Sequence, residues 1–372
     1  NSTAVGWQAL YSNTTASNNT AVGYQAGYTN TTGTRFTSLG ASAGKTYNNA
    51  NGNFGDTFIG AYAGTSVTTG YDNTFIGAQA GYVSTTGINN TGVGTAALYS
   101  NTTASNNTAV GYQAGYSTQT TGYLTALGFC AGFSSNNANG DNYGMTLLGA
   151  RAGYTSTTAK DATFVGAQAG YLNTTGSYNT TLGAAALYNN TTASGNVAVG
   201  YKALFLNTTG PDNTAVGAEN NYVAALGANT TGTRNAAFGS GALRSNTTGS
   251  DNTALGTNSL QANTTASNNT AVGYQAGYSN QTGASLVAIG YRALYSNTAG
   301  SNMIAIGDAA LYTATGDANI AIGTDTARAT TTGAYNVAVG QQALRFNTTA
   351  SNNTAVGYQA GYSNQKIGRA HV

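Results

Sequence analysis

Apolar residues recur along the whole chain in a short alternating pattern that ends at a glycine, as in Thr20-Ala21-Val22-Gly23. The residue before this glycine is always Val, Ile, Leu or Phe, and the residue two positions earlier is usually Thr, Val or Ile. Such alternation over a few residues predicts a β-strand with two different faces. We therefore expect one short strand immediately before each of these glycines.

The glycine that ends the pattern, which we call the anchor glycine, recurs 21 times. Most successive anchors are separated by the same 17-residue interval, as Gly6 and Gly23 are. The irregular intervals come once in every five repeats, which indicates that a five-repeat unit was duplicated. A short fixed period is typical of solenoids, in which each repeat forms one coil. The four exceptions run from Gly40 to Gly60, from Gly128 to Gly149, from Gly217 to Gly239 and from Gly307 to Gly323.

A 17-residue repeat cannot enclose a core of its own, but stacked repeats can bury one another's apolar side chains. We therefore predict an all-β fold, a single parallel β-solenoid of about 21 coils over residues 1–365. Parallel stacking of equivalent residues satisfies the backbone between coils and places Tyr over Tyr and Asn over Asn.

Three positions of the repeat are expected to form structural ladders. The bulky residue before the anchor is predicted to fill the core, and the Ala four residues later to lie on the same face in a narrow part of it. The anchor needs glycine either because φ is positive or because another backbone passes too close for a Cβ. The ladder residues are Gly6, Gly23, Gly111, Gly273 and Gly357; Val22, Val110, Val272 and Val356; and Ala26, Ala114, Ala276 and Ala360.

An aromatic residue and a turn follow each strand. Tyr28, Tyr116, Tyr278 and Tyr362 represent the aromatic position. We favour packing along the solenoid or across an oligomer interface for these rings, with stacking on carbohydrate as the alternative. The Asn-Thr-Thr sequences that follow are typical of turns and are also acceptor sequences for N-glycosylation. The candidate acceptors are Asn13, Asn101, Asn207, Asn246, Asn263 and Asn347.

The composition limits the chemistry of the chain. Only 6% of the residues are charged and the formal net charge is +2, which does not favour nucleic acid or an anionic membrane as partner. The acidic residues and the single cysteine lack metal-ligand spacing, so we expect no enzyme activity, cofactor or metal. Cys130 replaces Gln in one repeat and is expected to point outward. No run of about 20 apolar residues predicts a membrane-spanning helix.

The last residues break the pattern. Residues 366–372 read KIGRAHV, and IGRAHV is the translation of a common short-read sequencing adapter. We interpret residues 366–372 as an artefact of sequence assembly. His371, the only histidine, lies in this segment. We also expect the chain to be a fragment of a longer protein, because residue 1 already lies inside a repeat.

The unit NSTAVGWQA at residues 1–9, with copies such as NNTAVGYQA, resembles the N-S-x-A-I-G-x-x-A repeat of the YadA-like heads of trimeric autotransporter adhesins. It is also similar to repeats of tail-fibre-like surface proteins. The resemblance covers essentially residues 1–365. It implies a left-handed parallel β-roll, often trimeric, that serves in adhesion or as a fibre shaft.

We therefore expect an extracellular structural fibre or adhesive rod, located at a cell surface or in a virion fibre, without catalysis. Its main partner would be itself, as a homotrimer or an end-to-end filament. An adhesin head that binds a glycan or matrix ligand is the alternative. An ice-binding solenoid ranks lower, because such arrays need Thr at regular strand positions and we expect Thr mainly in the turns of this chain.

Overall fold

A computed structural model describes residues 1–49, 55–120, 122–136, 144–218 and 224–363. In these residues the fold is an all-β parallel solenoid of 21 strands with a 17-residue spacing and no helix. The predicted fold class is thereby confirmed. Residues 366–372, which we interpret as an assembly artefact, lie outside the described part of the chain.

The chain divides into two compact units. Unit 1 comprises Asn1–Ala185 with Asn190–Thr192, and unit 2 comprises Ala186–Asn189 with Ala193–Val372. The strands of unit 1 are β1 (Thr3–Val5), β2 (Thr20–Val22), β3 (Thr37–Leu39), β4 (Thr57–Ile59), β5 (Thr74–Ile76), β6 (Thr91–Val93), β7 (Thr108–Val110), β8 (Leu124–Leu127), β9 (Met145–Leu148), β10 (Thr163–Val165) and β11 (Thr180–Leu182). Those of unit 2 are β12 (Val197–Val199), β13 (Thr214–Val216), β14 (Ala236–Phe238), β15 (Thr253–Leu255), β16 (Thr270–Val272), β17 (Val287–Ile289), β18 (Ile304–Ile306), β19 (Ile320–Ile322), β20 (Val337–Val339) and β21 (Thr354–Val356).

Equivalent residues of successive coils pair in parallel register. In unit 1, Thr3 pairs with Thr20 and Val5 with Val22, and in unit 2, Thr253 pairs with Thr270. The backbone N–H of Gly23 donates to the carbonyl of Val5 at 2.8 Å. Because each strand satisfies its backbone on the next coil, strands can be very short here although they would be unstable alone.

The prediction about the core was half wrong. In most of the three-residue strands the middle residue points inward, and Ala21 is fully buried between the outward Thr20 and Val22. The bulky residue before the anchor therefore lies on the outer face. Val22, Val110 and Val272 are half-buried, and Val356 is 68% exposed.

The Ala four residues later does lie inside. Ala26, Ala114 and Ala276 are fully buried, and Ala360 is partly buried against the core. The error came from extending the alternation through the anchor. The chain leaves the extended conformation at Gly23, with φ 135°, and turns further at Gln25, with φ 54°. Strand alternation therefore does not carry over to Ala26.

The two units fill the inside of the coil differently. Several coils of unit 1 place Phe in the middle of the strand and Gly in the turn, as Phe75 with Gly81, where an added Cβ would lie 2.5 Å from the Phe75 ring. Unit 2 mostly places Ala on the strand and Leu in the turn, as Ala288 with Leu294. Both arrangements put one large and one minimal side chain in the same narrow space.

Candidate functional surface

The anchor glycines have the predicted positive φ, and all of those named above except Gly357 also have the predicted close backbone approach. Gly23 has φ 135°, and a Cβ there would lie 2.6 Å from the carbonyl oxygen of Gly40 on the next coil. Only glycine combines this conformation with so close a backbone approach. The anchor thus fixes where each coil leaves the strand and which side chains face outward. The other anchors singled out above also have positive φ: Gly6 127°, Gly111 135°, Gly273 130° and Gly357 124°.

Two rows of buried asparagine support the turns from inside. One row lies four residues before the anchor, where Asn90 Nδ2 donates to Asn73 Oδ1 at 3.1 Å and to the Ala104 carbonyl at 2.9 Å. The other lies seven residues after the anchor, where Asn246 Nδ2 donates to Asn229 Oδ1 at 2.8 Å. Stacked amides of this kind satisfy one another along a repeated sheet. The predicted Asn ladders are confirmed, and they are interior.

Burial of the amides favours the turn role of the Asn-Thr-Thr sequences over glycosylation of the candidate acceptors. The Asn263 Nδ2, for example, donates to Asn246 Oδ1 at 2.8 Å and to the Ala266 carbonyl at 3.0 Å. The sixth candidate, Asn13, is half-buried. The turn sequence places its Asn side chain inside the coil to pair with backbone groups, so a glycan at the five buried sites would require the amide to leave the coil. These five are Asn101, Asn207, Asn246, Asn263 and Asn347, all of which are fully buried.

The rings five residues after the anchor form what we call the aromatic row. In unit 1 it runs without a break from Tyr82 to Tyr171, with centroid separations of 4.9–5.2 Å and interplanar angles of 8–13°. The predicted stacking of Tyr over Tyr is confirmed. Tyr28 stacks on Tyr11 at 5.2 Å, Tyr278 of unit 2 stacks on Tyr295 at 5.0 Å, and Tyr362 meets Phe346 edge to face at 5.1 Å.

Stacking decides what the aromatic row presents to its surroundings. Tyr116 lies between Tyr99 and Phe133, so both of its ring faces are covered. Burial raises the pKa of Tyr99, and its neighbours Tyr116 and Tyr82 raise it further. A sugar that stacks on an aromatic residue needs a ring face, so an unbroken row offers it only edges and hydroxyls. This geometry favours packing as the role of the row.

The outward strand residues form a second surface, which we call the strand face. It consists of the Thr or aliphatic residue three positions before the anchor and the bulky residue directly before it. In unit 1 the first of these is Thr in all eleven strands, so this unit has a regularly spaced strand series of Thr in addition to the Thr of its turns. In unit 2 the same position is mixed, with Ile304, Ile320 and Val337 among its members. Among the strands that the structure describes, the strand face carries no charged residue in either unit.

Groups that could hold a metal ion or act as a nucleophile are sparse. Within the described ranges, no three His, Cys, Asp or Glu side chains come together. Cys130 is 5% exposed rather than outward-facing, and its Sγ lies 3.8 Å from Gln113 Oε1. Burial raises the pKa of this thiol more than nearby Arg151 lowers it.

Comparison with known proteins found no matching family model and no similar curated protein. The described part of the chain has no helix with the length and apolar character needed to cross a bilayer.

Sequence reasoning did not predict that the strand face is exposed or that the asparagine side chains are buried. A signal for both was available, because Thr and Asn recur at fixed distances from the anchor. A residue that holds its register through copies of varying sequence is under a geometric constraint.

Proposed function

We propose that the chain is a stretch of a structural fibre or adhesive rod, and that it assembles with further copies of itself through the strand face. The observation that carries the proposal is the strand face itself, which presents an aliphatic or aromatic residue on every described strand and no charge. Val5, Leu127 and Leu182 are 56%, 45% and 54% exposed. Apolar surface that continues from coil to coil is unfavourable in water and marks interaction sites.

A second copy of this chain suits the strand face better than an unrelated protein does. Successive strands of a sheet are about 4.7–4.9 Å apart, so the face has one apolar group at each such step. Another copy has the same step and can interdigitate its side chains along the full length, as paired sheets do. Closed symmetry would give an oligomer such as a trimer, and an open arrangement a filament.

The resemblance to adhesin head repeats and tail-fibre-like repeats supports a setting outside the cell or on a virion. The buried amide rows and stacked rings support a mechanical role, because they stabilise the coil stack without forming a reactive site. Catalysis is not part of the proposal.

The test is the mass of the full chain in solution, measured by light scattering and sedimentation, with electron microscopy of the same sample. We expect oligomers or filaments for the natural sequence and monomers for Leu127→Lys with Leu182→Lys. Tyr178→Lys is the matched control, because Tyr178 is 60% exposed and lies outside the strands. A monomeric natural chain, or equal dissociation by the control, would refute assembly through this face.

The Thr series of unit 1 favours a second candidate function, which is the ordering of water at an ice surface. Eleven strands there present Thr hydroxyl and methyl groups at the strand spacing, beside the aliphatic series. A monomer that produces thermal hysteresis, lost in Thr91→Tyr and kept in Thr253→Tyr of unit 2, would support this function. Absence of hysteresis in the natural chain would exclude it.

A further inference from the structure

The aromatic row of unit 2 is interrupted more than once, and near its end two successive coils replace the ring by arginine. Tyr278, Tyr295 and Tyr312 stack in order, with centroids 5.0 Å apart. The next two coils carry Arg328 and Arg345 at the same position of the repeat, before Tyr362 restores a ring. At this interruption the row presents guanidinium groups instead of covered ring faces.

A pocket of about 280 Å³ opens at the interruption. This volume is close to the lower end of the range of about 300–1,000 Å³ that small-molecule sites occupy, so it suits one sugar-sized group. Phe346 in its wall is 42% exposed. The pocket is lined by Tyr312, Thr313, Arg328, Ala329, Arg345 and Phe346.

One carboxylate holds both arginines in place. Asp325 Oδ1 accepts a hydrogen bond from Arg328 NH1 at 3.1 Å, and Asp325 Oδ2 lies 3.4 Å from Arg345 NH2. Two cations and one anion leave the group with a net positive charge. A guanidinium has more N–H donors than these contacts engage. The side chain of Arg328 is 43% exposed and that of Arg345 is 23% exposed, so a ligand can reach them.

Aromatic rings support the same two guanidinium groups. The Arg328 Cζ lies 5.5 Å from the Tyr312 ring centroid, and the Arg345 Cζ lies 5.3 Å from that of Phe346. Such contacts limit the motion of the two arginine side chains and hold their N–H donors in place at the wall of the pocket. The pocket therefore combines fixed positive donors with apolar ring surface.

We propose that this pocket binds a carboxylate-bearing sugar. The planar donors of arginine match a carboxylate in two parallel hydrogen bonds. The exposed ring of Phe346 suits the apolar C–H face of a pyranose, which a free inorganic anion lacks. A neutral sugar would leave the positive charge uncompensated. This ligand class does not depend on assembly through the strand face, since the pocket residues lie in the turns of unit 2.

The test uses saturation-transfer NMR on the full chain with methyl β-glucuronide as probe and its uncharged methyl ester as control. A sialic acid methyl glycoside forms a second arm, because the same chemistry could come from either acidic sugar. We expect transfer to at least one acid, little transfer to the ester, and weaker binding as salt is raised. Equal binding of acid and ester, or no binding of either acid, would overturn the proposal.

Three variants locate the binding site. Arg328→Gln and Arg345→Gln should each weaken binding about tenfold or more, the scale of one lost charge-assisted hydrogen bond. Arg292→Gln is the matched control, because Arg292 also lies over Tyr291 and Tyr295 but does not line the pocket. Thermal melting of each variant monitors the fold. If the pocket variants lower the melting temperature but bind the acid as before, the arginines only stabilise the stacking of successive coils and the proposal fails.

Discussion

Units 1 and 2 build the same coil from opposite choices of side chain. In unit 1, Phe75 enters from the strand and Gly81 leaves space for it in the turn, as Phe58 with Gly64 and Phe164 with Gly170 also do. In unit 2, Ala198, Ala288 and Ala338 lie on the strand, and Leu204, Leu294 and Leu344 enter from the turn. The turn position has positive φ in both cases, with Gly81 at 58° and Leu294 at 51°. In these coils the interior is filled by one large side chain, which comes either from the strand or from the turn.

The largest effect on stability should come from replacing the Phe–Gly pair of a unit 1 coil by the Ala–Leu pair found in unit 2. Phe75→Ala alone should lower the free energy of unfolding by about 3–5 kcal/mol, because it leaves a cavity. Gly81→Leu alone should also destabilise, because its Cβ would lie 2.5 Å from the Phe75 ring. The double variant should recover most of the loss, because it reproduces the pairing of unit 2. Denaturant unfolding of all four chains measures the coupling; additive losses would contradict the shared-volume account.

A complementary change tests the strain in unit 2. Leu294→Ala should cost about 2–5 kcal/mol through lost core volume. Leu294→Gly removes slightly more volume but relieves a left-handed conformation that costs a non-glycine residue about 1–2 kcal/mol. We therefore expect the Gly variant to be at least as stable as the Ala variant in thermal melts. A clearly less stable Gly variant would mean that the φ of 51° at Leu294 carries no strain.

A carboxyl group distinguishes the asparagine row of unit 1 from that of unit 2. Asp56 takes the place of Asn four residues before its anchor, and one of its oxygens accepts the backbone N–H of Asn73 at 2.9 Å. Burial raises the pKa of Asp56 to about 7, with smaller opposing effects from Asn73 and the Tyr47 hydroxyl. The folded state thus keeps a proton that the unfolded chain loses near pH 4. Stability should fall as pH rises from about 4 to 7 and then level off.

Asp56→Asn should remove this pH dependence and raise stability above pH 7, by up to about 4 kcal/mol for a pKa displaced by roughly three units. Near pH 3 the variant and the natural chain should differ little. Urea titrations at pH 3, 5 and 8 measure the effect. Asp308→Asn is the control, because Asp308 is exposed. Equal stability of Asp56→Asn and the natural chain at pH 8 would refute the assigned burial effect.

The smallest effect should come from the aromatic row. Tyr116→Leu interrupts the continuous stack of unit 1 and should cost about 0.5–1.5 kcal/mol for each lost ring pair. Tyr312→Leu in unit 2 should cost less, because Tyr312 stacks on Tyr295 but meets Arg328 on the following coil. Parallel melts of the two variants compare continuous and interrupted rows. A larger loss of stability in the Tyr312 variant would contradict this expectation, because it would mean that the contact with Arg328 stabilises the fold more than a stacked ring does.

Much of the fold could be read from regular spacing. The recurring anchor predicted the strands and the coil, and the pairing of Thr3 with Thr20 follows the 17-residue interval. The face of Val22 was predicted wrongly, because strand alternation was carried through an anchor at which the chain turns. The burial of Asn246 was also missed, because an Asn-Thr-Thr sequence looks the same whether its amide points outward or inward.

The amino-acid sequence by itself determined the architecture, because a repeat too short to fold alone can bury its apolar residues only against its neighbours. The sequence also determined which positions must be glycine and which positions carry side chains that stack from coil to coil. Tertiary structure alone decided which faces are outward, which amides are buried, and where Arg328 and Arg345 open a pocket in the aromatic row. The reason is physical: spacing specifies which residues are equivalent, whereas exposure depends on turn angles and on the volume left by other coils.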